Sequence, residues 1–299
     1  MNWMNGIIGV VNTPFTNDNK IDSDSLRRYV DHSLKCDVVG FLVLGMAAEV
    51  NKLSLEEKLL IVETVVNQVD RKVPVIASVS SQNQNDRVLL ANELSNLGCD
   101  GILINIPFDD EDSFVNNVSE VAINISGFMM LQDWDFHGYG IPVHIIKKLF
   151  DHVEKFKCLK IEVVPAGVKY SEVRKITEGK LHLSGGWAGT QMIEALDRRV
   201  DAFMPTILHD VYNKIFQLHR IGKREEAKTV FEIFLPIISF SHQHLDISIH
   251  FNKRLVNRQG LFSTSRVREP ILPFDQYHER IADELINRAI ELSNSLNIE

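Results

Sequence analysis

Short apolar runs rich in Val, Ile and Leu recur along the chain at fairly even spacing. Runs of this length and composition read as parallel strands buried on both faces. They fall at Gly6–Val11, Val39–Leu44, Val73–Val79, Gly101–Ile106, Gly127–Gln132, Cys158–Glu162, Leu181–Ser184 and Ala202–Met204. Between them the apolar positions take a helical period. Ser54-Leu-Glu-Glu57 is a capping box that opens a helix to about Val69. Asp24–Leu34, Asp86–Leu97, Asp112–Ile123, Val143–His152, Ser171–Thr177 and Thr190–Arg198 fill most of the other gaps. Strand–helix alternation of this kind predicts a closed (β/α)8 TIM barrel. A doubly wound open sheet is the alternative, but no Gly-x-Gly-x-x-Gly follows the first strand. From about Asp210 the pattern is helical only, over Asp210–Ile221, Arg224–Phe234, Ile237–Asn257 and Asp275–Ser295. One of the first two closes the barrel and the others pack beside it. No linker rich in Pro, Gly or Ser intervenes, so residues 1–222 read as the barrel and 223–299 as a C-terminal helical extension of the same domain.

Composition narrows the classes. Apolar residues make up 44% and charged residues 24%, which supports a sizeable core and argues against disorder. The net charge of −8 argues against nucleic acid as the main partner. No apolar run is long enough for a transmembrane span, so no membrane partner is expected. Met1-Asn2-Trp3-Met4-Asn5 lacks the charged-then-apolar pattern of a secretory signal. Cys36, Cys99 and Cys158 stand scattered in apolar settings and read as reduced core thiols of a cytoplasmic protein. The sequons at Asn117 and Asn124 are taken as chance.

One residue breaks the sixth apolar run. Lys160 stands in Cys158-Leu159-Lys160-Ile161-Glu162. Lysine is rarely left inside such a strand, and burial disfavours its ammonium form. The neutral amine is a nucleophile toward a carbonyl and yields a Schiff base. Taken alone, Lys160 is more simply a strand-end lysine whose amine reaches solvent or a carboxylate. Period-two alternation puts Cys158, Lys160 and Glu162 on one face. If Lys160 points inward so does Glu162, which then holds the ammonium or accepts a proton.

Barrel sites form at the C-terminal strand ends. That brings in Gly45-Met46-Ala47-Ala48-Glu49 after the second strand, Leu131-Gln132-Asp133-Trp134 after the fifth and Gly185-Gly186-Trp187 after the seventh. The small residues of the first let backbone N–H groups face a carboxylate or phosphate. An ordinary loop is the plainer reading of that segment, as a plain turn is of Gly185-Gly186 and a core or rim aromatic of Trp187.

Together these pieces resemble the dihydrodipicolinate synthase / N-acetylneuraminate lyase family. Gly9-Val-Val-Asn-Thr-Pro-Phe15 resembles its first-strand motif. Gly45-Met-Ala-Ala-Glu49 followed by Lys52-Leu-Ser-Leu-Glu-Glu57 resembles its Gly-Thr-Thr-Gly-Glu loop and the helix start after it. Lys160 falls where the family has its Schiff-base lysine, and the likeness runs from about Gly6 to Leu296. It implies a 2-keto acid held as an imine on Lys160, a homotetramer or dimer, and no cofactor. The departures are equally informative. Gln132 stands at the place of the family's fifth-strand tyrosine, and Met46 and Ala47 at its two threonines. Phe108-Asp109-Asp110 lacks the tyrosine supplied across a dimer interface, and Phe136-His137-Gly138 lacks the substrate-binding arginine. What remains resembles the 2-keto-3-deoxy sugar acid dehydratases. On that resemblance Lys160, Glu162 and Gln132 are catalytic, with Glu162 or a water held by Gln132 as base. Gly45, Met46, Ala47, Glu49, Asp133, Gly185, Gly186 and Trp187 bind substrate, and no metal is needed.

Other signals weigh less. His242, Asp246 and His250 share a face if one helix carries them, with His244 nearby, and such a face binds metal in other enzymes. A polar face or subunit contact is the plainer reading. Arg266 and Arg268 read as structural ion-pair partners, Glu225-Glu226 and Lys253-Arg254 as solvated helix charges. Dehydration is therefore the leading function. A pyruvate-releasing aldolase, a dihydrodipicolinate synthase-like condensation and a catalytically silent keto-acid-binding barrel stand as alternatives.

Overall fold

The apolar runs form strands β1 Gly6–Val10, β2 Gly40–Val43, β3 Val75–Val79, β4 Gly101–Ile104, β5 Phe128–Asp135, β6 Phe156–Val163, β7 His182–Gly185 and β8 Ala202–Phe203. The computed structural model describes residues 4–81 and 83–296. The strands follow one another in sheet order as a closed barrel. The helices are α1 Ser23–Lys35, α2 Leu55–Val69, α3 Gln84–Asn96, α4 Glu111–Ile123, α5 Val143–His152, α6 Ala166–Ile176, α7 Met192–Asp197, α8 His209–Arg220, α9 Arg224–Ser241, α10 Leu245–Arg258 and α11 Gln276–Leu296. The (β/α)8 architecture with its helical extension is present.

Every residue of β1 to β4 is buried, as the apolar runs require of strands covered on both faces. Short polar side chains start the helices. Asp22 caps α1, Asn83 caps α3 and Asp110 caps α4, each accepting an N–H of the first turn. The capping box of α2 is complete: Ser54 Oγ accepts the Glu57 N–H, and the Glu57 carboxylate accepts the Ser54 N–H.

Internal contact groups the chain into two compact units, Met1–Asn5 with Pro74–Met204 and Gly6–Val73 with Pro205–Glu299. The grouping places α8 with the helices that follow it. In this second unit the missing Cβ of Gly9 lets the His209 ring of α8 close on β1, where a methyl would stand 3.1 Å from it. Tyr29 lies edge-on to that ring with its hydroxyl 3.0 Å from the Val10 carbonyl oxygen.

Three differences from the sequence reading matter. First, β5 and β6 are longer than their apolar runs, and they pair from Met129↔Phe156, past an irregularity between Met129 and Met130, to Asp135↔Val163. Second, α9 continues through Pro236 to Ser241, and the chain breaks at His242–His244 before α10. His242 therefore ends one helix, and His244 caps the next by accepting the Asp246 N–H at 3.1 Å. The shared face expected for His242, Asp246 and His250 does not exist. Asp246 accepts the Leu272 N–H, and His250 lies 3.1 Å from the Leu272 carbonyl oxygen. Third, Lys253 is not a solvated charge; its side chain is fully buried. The helical spacing was read without the tertiary partner, and Glu49 supplies it.

Candidate active site

Alternation along β6 sets the centre of the first unit. Lys160 and Glu162 lie on one face, and Lys160 Nζ stands 3.2 Å from Glu162 Oε2 with about a tenth of either side chain exposed. The neighbouring strands complete the row. Gln132 of β5 is the register partner of Lys160 on one side, and Ser184 of β7 on the other. Gln132 Nε2 donates to the same Glu162 oxygen that faces Lys160. A carboxylate this buried needs such donors, because desolvation disfavours its charge. Gln132 holds a position, but an amide has no titratable proton, so it cannot relay one as a phenol does.

Gly186 follows β7 and lies against this pair. A Cβ built there would stand 2.0 Å from Glu162 Oε1 and 2.4 Å from Lys160 Cε. With a methyl at this position the tips of both side chains would have to move. Gly185 is buried, and its carbonyl accepts the Met204 N–H at 3.1 Å. Trp187 opens the 3₁₀ turn Trp187–Gln191; its side chain lies outside the described residues. Ser184 was missed in the sequence although the alternation of β7 carries the signal; its hydroxyl donates to Met204 Sδ at 3.5 Å.

Asp133 corrects the expectation of a carboxylate lining the mouth. It neighbours Gln132 in a strand, so it faces the other way. It is buried and ion-paired with Lys169 of α6, which is itself fully buried. Burial pushes the Asp133 carboxyl up and the Lys169 amine down, against their mutual attraction. Trp134 is on the Gln132 side, exposed, and meets Phe136 edge-on at 5.3 Å between ring centres.

Gly45, Met46, Ala47 and Glu49 form a group of their own in the second unit. Met46–Ala48 is a single 3₁₀ turn. Asn12 Nδ2 donates to the Ala47 carbonyl and Thr13 Oγ1 to that of Ala48, both at 2.7 Å. These two polar residues of the first-strand motif are fully buried, and their role was not read from the sequence. Met46 is exposed. Glu49 adopts the left-handed conformation at φ 56°, and its carboxylate is fully engaged. Oε1 meets Lys253 Nζ; Oε2 accepts from Lys52 Nζ at 3.0 Å and the Arg268 N–H at 2.9 Å. Arg268 grips Glu57 through two bonds of 2.5 and 2.8 Å. Lys253 also donates to the Arg266 carbonyl at 2.9 Å and lies over the Phe15 ring. Glu49 thus braces this loop rather than presenting a free carboxylate.

Cys36, Cys99 and Cys158 form no disulfide among the described residues, and burial pushes the Cys99 thiol up to about 12. No group of three or more His, Cys, Asp or Glu among the described residues has the arrangement of a metal site. No helix among them is long and apolar enough to cross a membrane.

Residues 3–289 match the dihydrodipicolinate synthetase family. A 4-hydroxy-tetrahydrodipicolinate synthase of Rickettsia canadensis is 35% identical over 106 residues, 36% of this chain and 36% of that protein. YagE of Escherichia coli, provisionally named a 2-dehydro-3-deoxy-D-gluconate aldolase, is 28% identical over 150 residues, 49% of this chain and 50% of YagE. The chain thus matches between a third and a half of these curated relatives' length. Among solved structures, dihydrodipicolinate synthase from Rhodopseudomonas palustris superposes with a TM-score of 0.89 at 22% identity, over 96% of this chain and 98% of that one. N-acetylneuraminate lyase from Fusobacterium nucleatum, complexed with pyruvate, gives 0.83 at 21% identity over 99% and 98%. These two likenesses concern the fold.

The buried Lys253 gives the loop a pH signature. Desolvation, opposed by Glu49, pushes its amine down from 10.5 to about 8. Between about 8 and the ordinary lysine value the unfolded chain therefore binds more protons, and stability rises with pH across that window. Lys253→Met should remove this rise. Urea unfolding of both proteins below pH 8 and near the ordinary lysine value should show wild type gaining on the variant. A constant difference would show that Lys253 titrates normally in the fold.

Proposed function

Because the chain belongs to the dihydrodipicolinate synthetase family, we propose that it is a Schiff-base lyase acting on a 2-keto acid, with Lys160 as the amine that forms the imine. The observation that carries this is the difference between three buried lysines. Lys169 and Lys253 are fully buried, and each meets both a carboxylate and a backbone carbonyl. Lys160 keeps some exposure and lies 3.2 Å from Glu162. It is the amine of the three that a carbonyl compound can reach.

The favoured reaction is dehydration of a polyhydroxylated 2-keto-3-deoxy acid. Lys160 adds to the 2-keto carbon, and water leaves as the imine forms. Glu162 removes a proton from the adjacent carbon and the electrons move into an enamine. The enamine expels the hydroxyl of the next carbon, which takes the proton from Glu162 and leaves as water; a proton shift along the conjugated imine turns the following hydroxyl-bearing carbon into a carbonyl, and hydrolysis frees Lys160. Gln132, with its amide N–H on Glu162, sets the direction of that carboxylate. The exposed Trp134–Phe136 pair offers flat surface on which sugar carbons can rest. The provisional name of YagE favours a second reading, cleavage of the same substrate class with release of pyruvate. A homotetramer or dimer belongs to the proposal as well.

Borohydride reduction in the presence of a 2-keto acid should add the reduced ligand's mass to the intact protein, at Lys160. Lys160→Ala should abolish the adduct and turnover while the fold persists. Glu162→Gln should lower turnover by about 10²–10⁴-fold if Glu162 is the general base. An adduct on another lysine, or none in wild type, overturns the assignment.

Gly186→Ala tests the packing of the site. Its methyl has no room beside Glu162 and Lys160, and a displacement near 1 Å costs about 10²-fold in rate. Capture at wild-type rate would mean that the pair need not sit where it does.

A substrate panel separates the chemistries. Dehydration keeps the carbon count and yields a new dicarbonyl acid; free pyruvate indicates the aldolase. Saturable thermal stabilisation without turnover indicates a silent binder. Pyruvate with aspartate semialdehyde should give no condensation, because Gln132 supplies no phenol.

A further inference from the structure

We propose that the buried Asp133–Lys169 pair is a positioning device: it locks the end of β5 and the turn after it to the start of α6, and so fixes how Gln132 meets Glu162. The inference rests on the reading of Lys160 and Glu162 as reacting groups.

The contacts close a ring. Asp133 is the strand neighbour of Gln132 and lies on the opposite face. Its Oδ2 meets Lys169 Nζ, and its Oδ1 accepts the Ile141 N–H at 2.9 Å. Lys169 Nζ also donates to the Tyr139 carbonyl. Two side chains therefore bind β5, the 136–141 turn and α6 together. The turn has a second tie, because the Asp135 carboxylate accepts the His137 N–H at 2.9 Å and the Gly140 N–H at 3.2 Å. Gly140 sits inside the ring at φ +65°; a Cβ there would stand 2.1 Å from Asp133 Oδ1 and 2.7 Å from Val163 Cγ1. The turn approaches the strand this closely only because it has no side chain at that point.

Stability alone does not call for charges here. Buried ion pairs are often replaceable by apolar residues of similar volume without loss. An apolar patch has no preferred direction, whereas this pair has directional contacts to three segments. Direction is what Gln132 needs. A rotation of the strand end would swing its amide away from Glu162 Oε2, and Glu162 would lose the donor that holds it beside Lys160.

Three proteins test the idea: wild type, Lys169→Met, and Asp133→Leu with Lys169→Met. The single variant leaves a buried carboxylate unpaired and should melt well below wild type. The double variant removes both charges and should recover most of the melting temperature. Its 136–141 amides should nonetheless exchange faster than in wild type, and its rate of reductive capture at Lys160 should fall by about tenfold or more. Recovery of the capture rate together with the melting temperature would show a pair that serves stability alone and overturn the proposal. Wild-type exchange in 136–141 would overturn it too. If the single variant does not fold, the double variant decides. If wild type captures no 2-keto acid, the Schiff-base reading fails, and the exchange of 136–141 in the double variant still decides whether the pair holds the turn.

Discussion

One oxygen of the Glu162 carboxylate has two partners, the Lys160 amine of its own strand as an ion pair and the Gln132 amide N–H of the next as a hydrogen bond. Remove either partner and a buried charge loses its compensation, which costs more than the contact itself contributes. Much of the surrounding geometry serves this meeting. It needs β5 and β6 in the register that sets Gln132 opposite Lys160, and their pairing extends well past that point, to Asp135 and Val163. It also needs a bare backbone at Gly186, where the chain crosses against both side chains.

The elements were legible where local physics fixes them. Val- and Ile-rich runs bounded by turns became strands, and short polar caps became helix starts. Period two placed Lys160 and Glu162 on one face because a strand allows no other arrangement. Residues whose role depends on another segment were not legible. The bond from Gln132 to Glu162 depends on register between strands. Asp133 was read as a lining residue because its partner, Lys169, lies on a helix that the periodicity started too late, at Ser171 instead of Ala166. Lys253 looked like one charge among several on α10, and nothing nearby in sequence announces Glu49. The break at His242–His244 went unseen because a histidine is an uncommon cap, while Pro236, between the two helices read from the sequence, sits inside α9.

The three buried lysines show one kind of contact at two degrees of enclosure. Around Lys253 and Lys169 the amine is surrounded: a carboxylate, a backbone carbonyl and an aromatic ring meet each of them. Such an amine is a fastener. Around Lys160 the protein stops short of that enclosure, with a longer contact and some remaining access. A polar residue inside an apolar strand is thus an ambiguous sign by itself, and the proposal for Lys160 rests on how its amine is surrounded.

Gly186 carries a consequence for how sequences of this shape can change. The space that a methyl would take at 186 is already occupied by the tip of the residue at 162. The two positions therefore share one volume, and bulk at 186 competes with the side-chain tip at 162. A chain that shortened residue 162 would open room for a side chain at 186, whereas one that gained bulk at 186 first would displace the carboxylate. The order of substitutions is constrained even where the end states are not. In a redesign, the choice at 162 comes before the choice at 186.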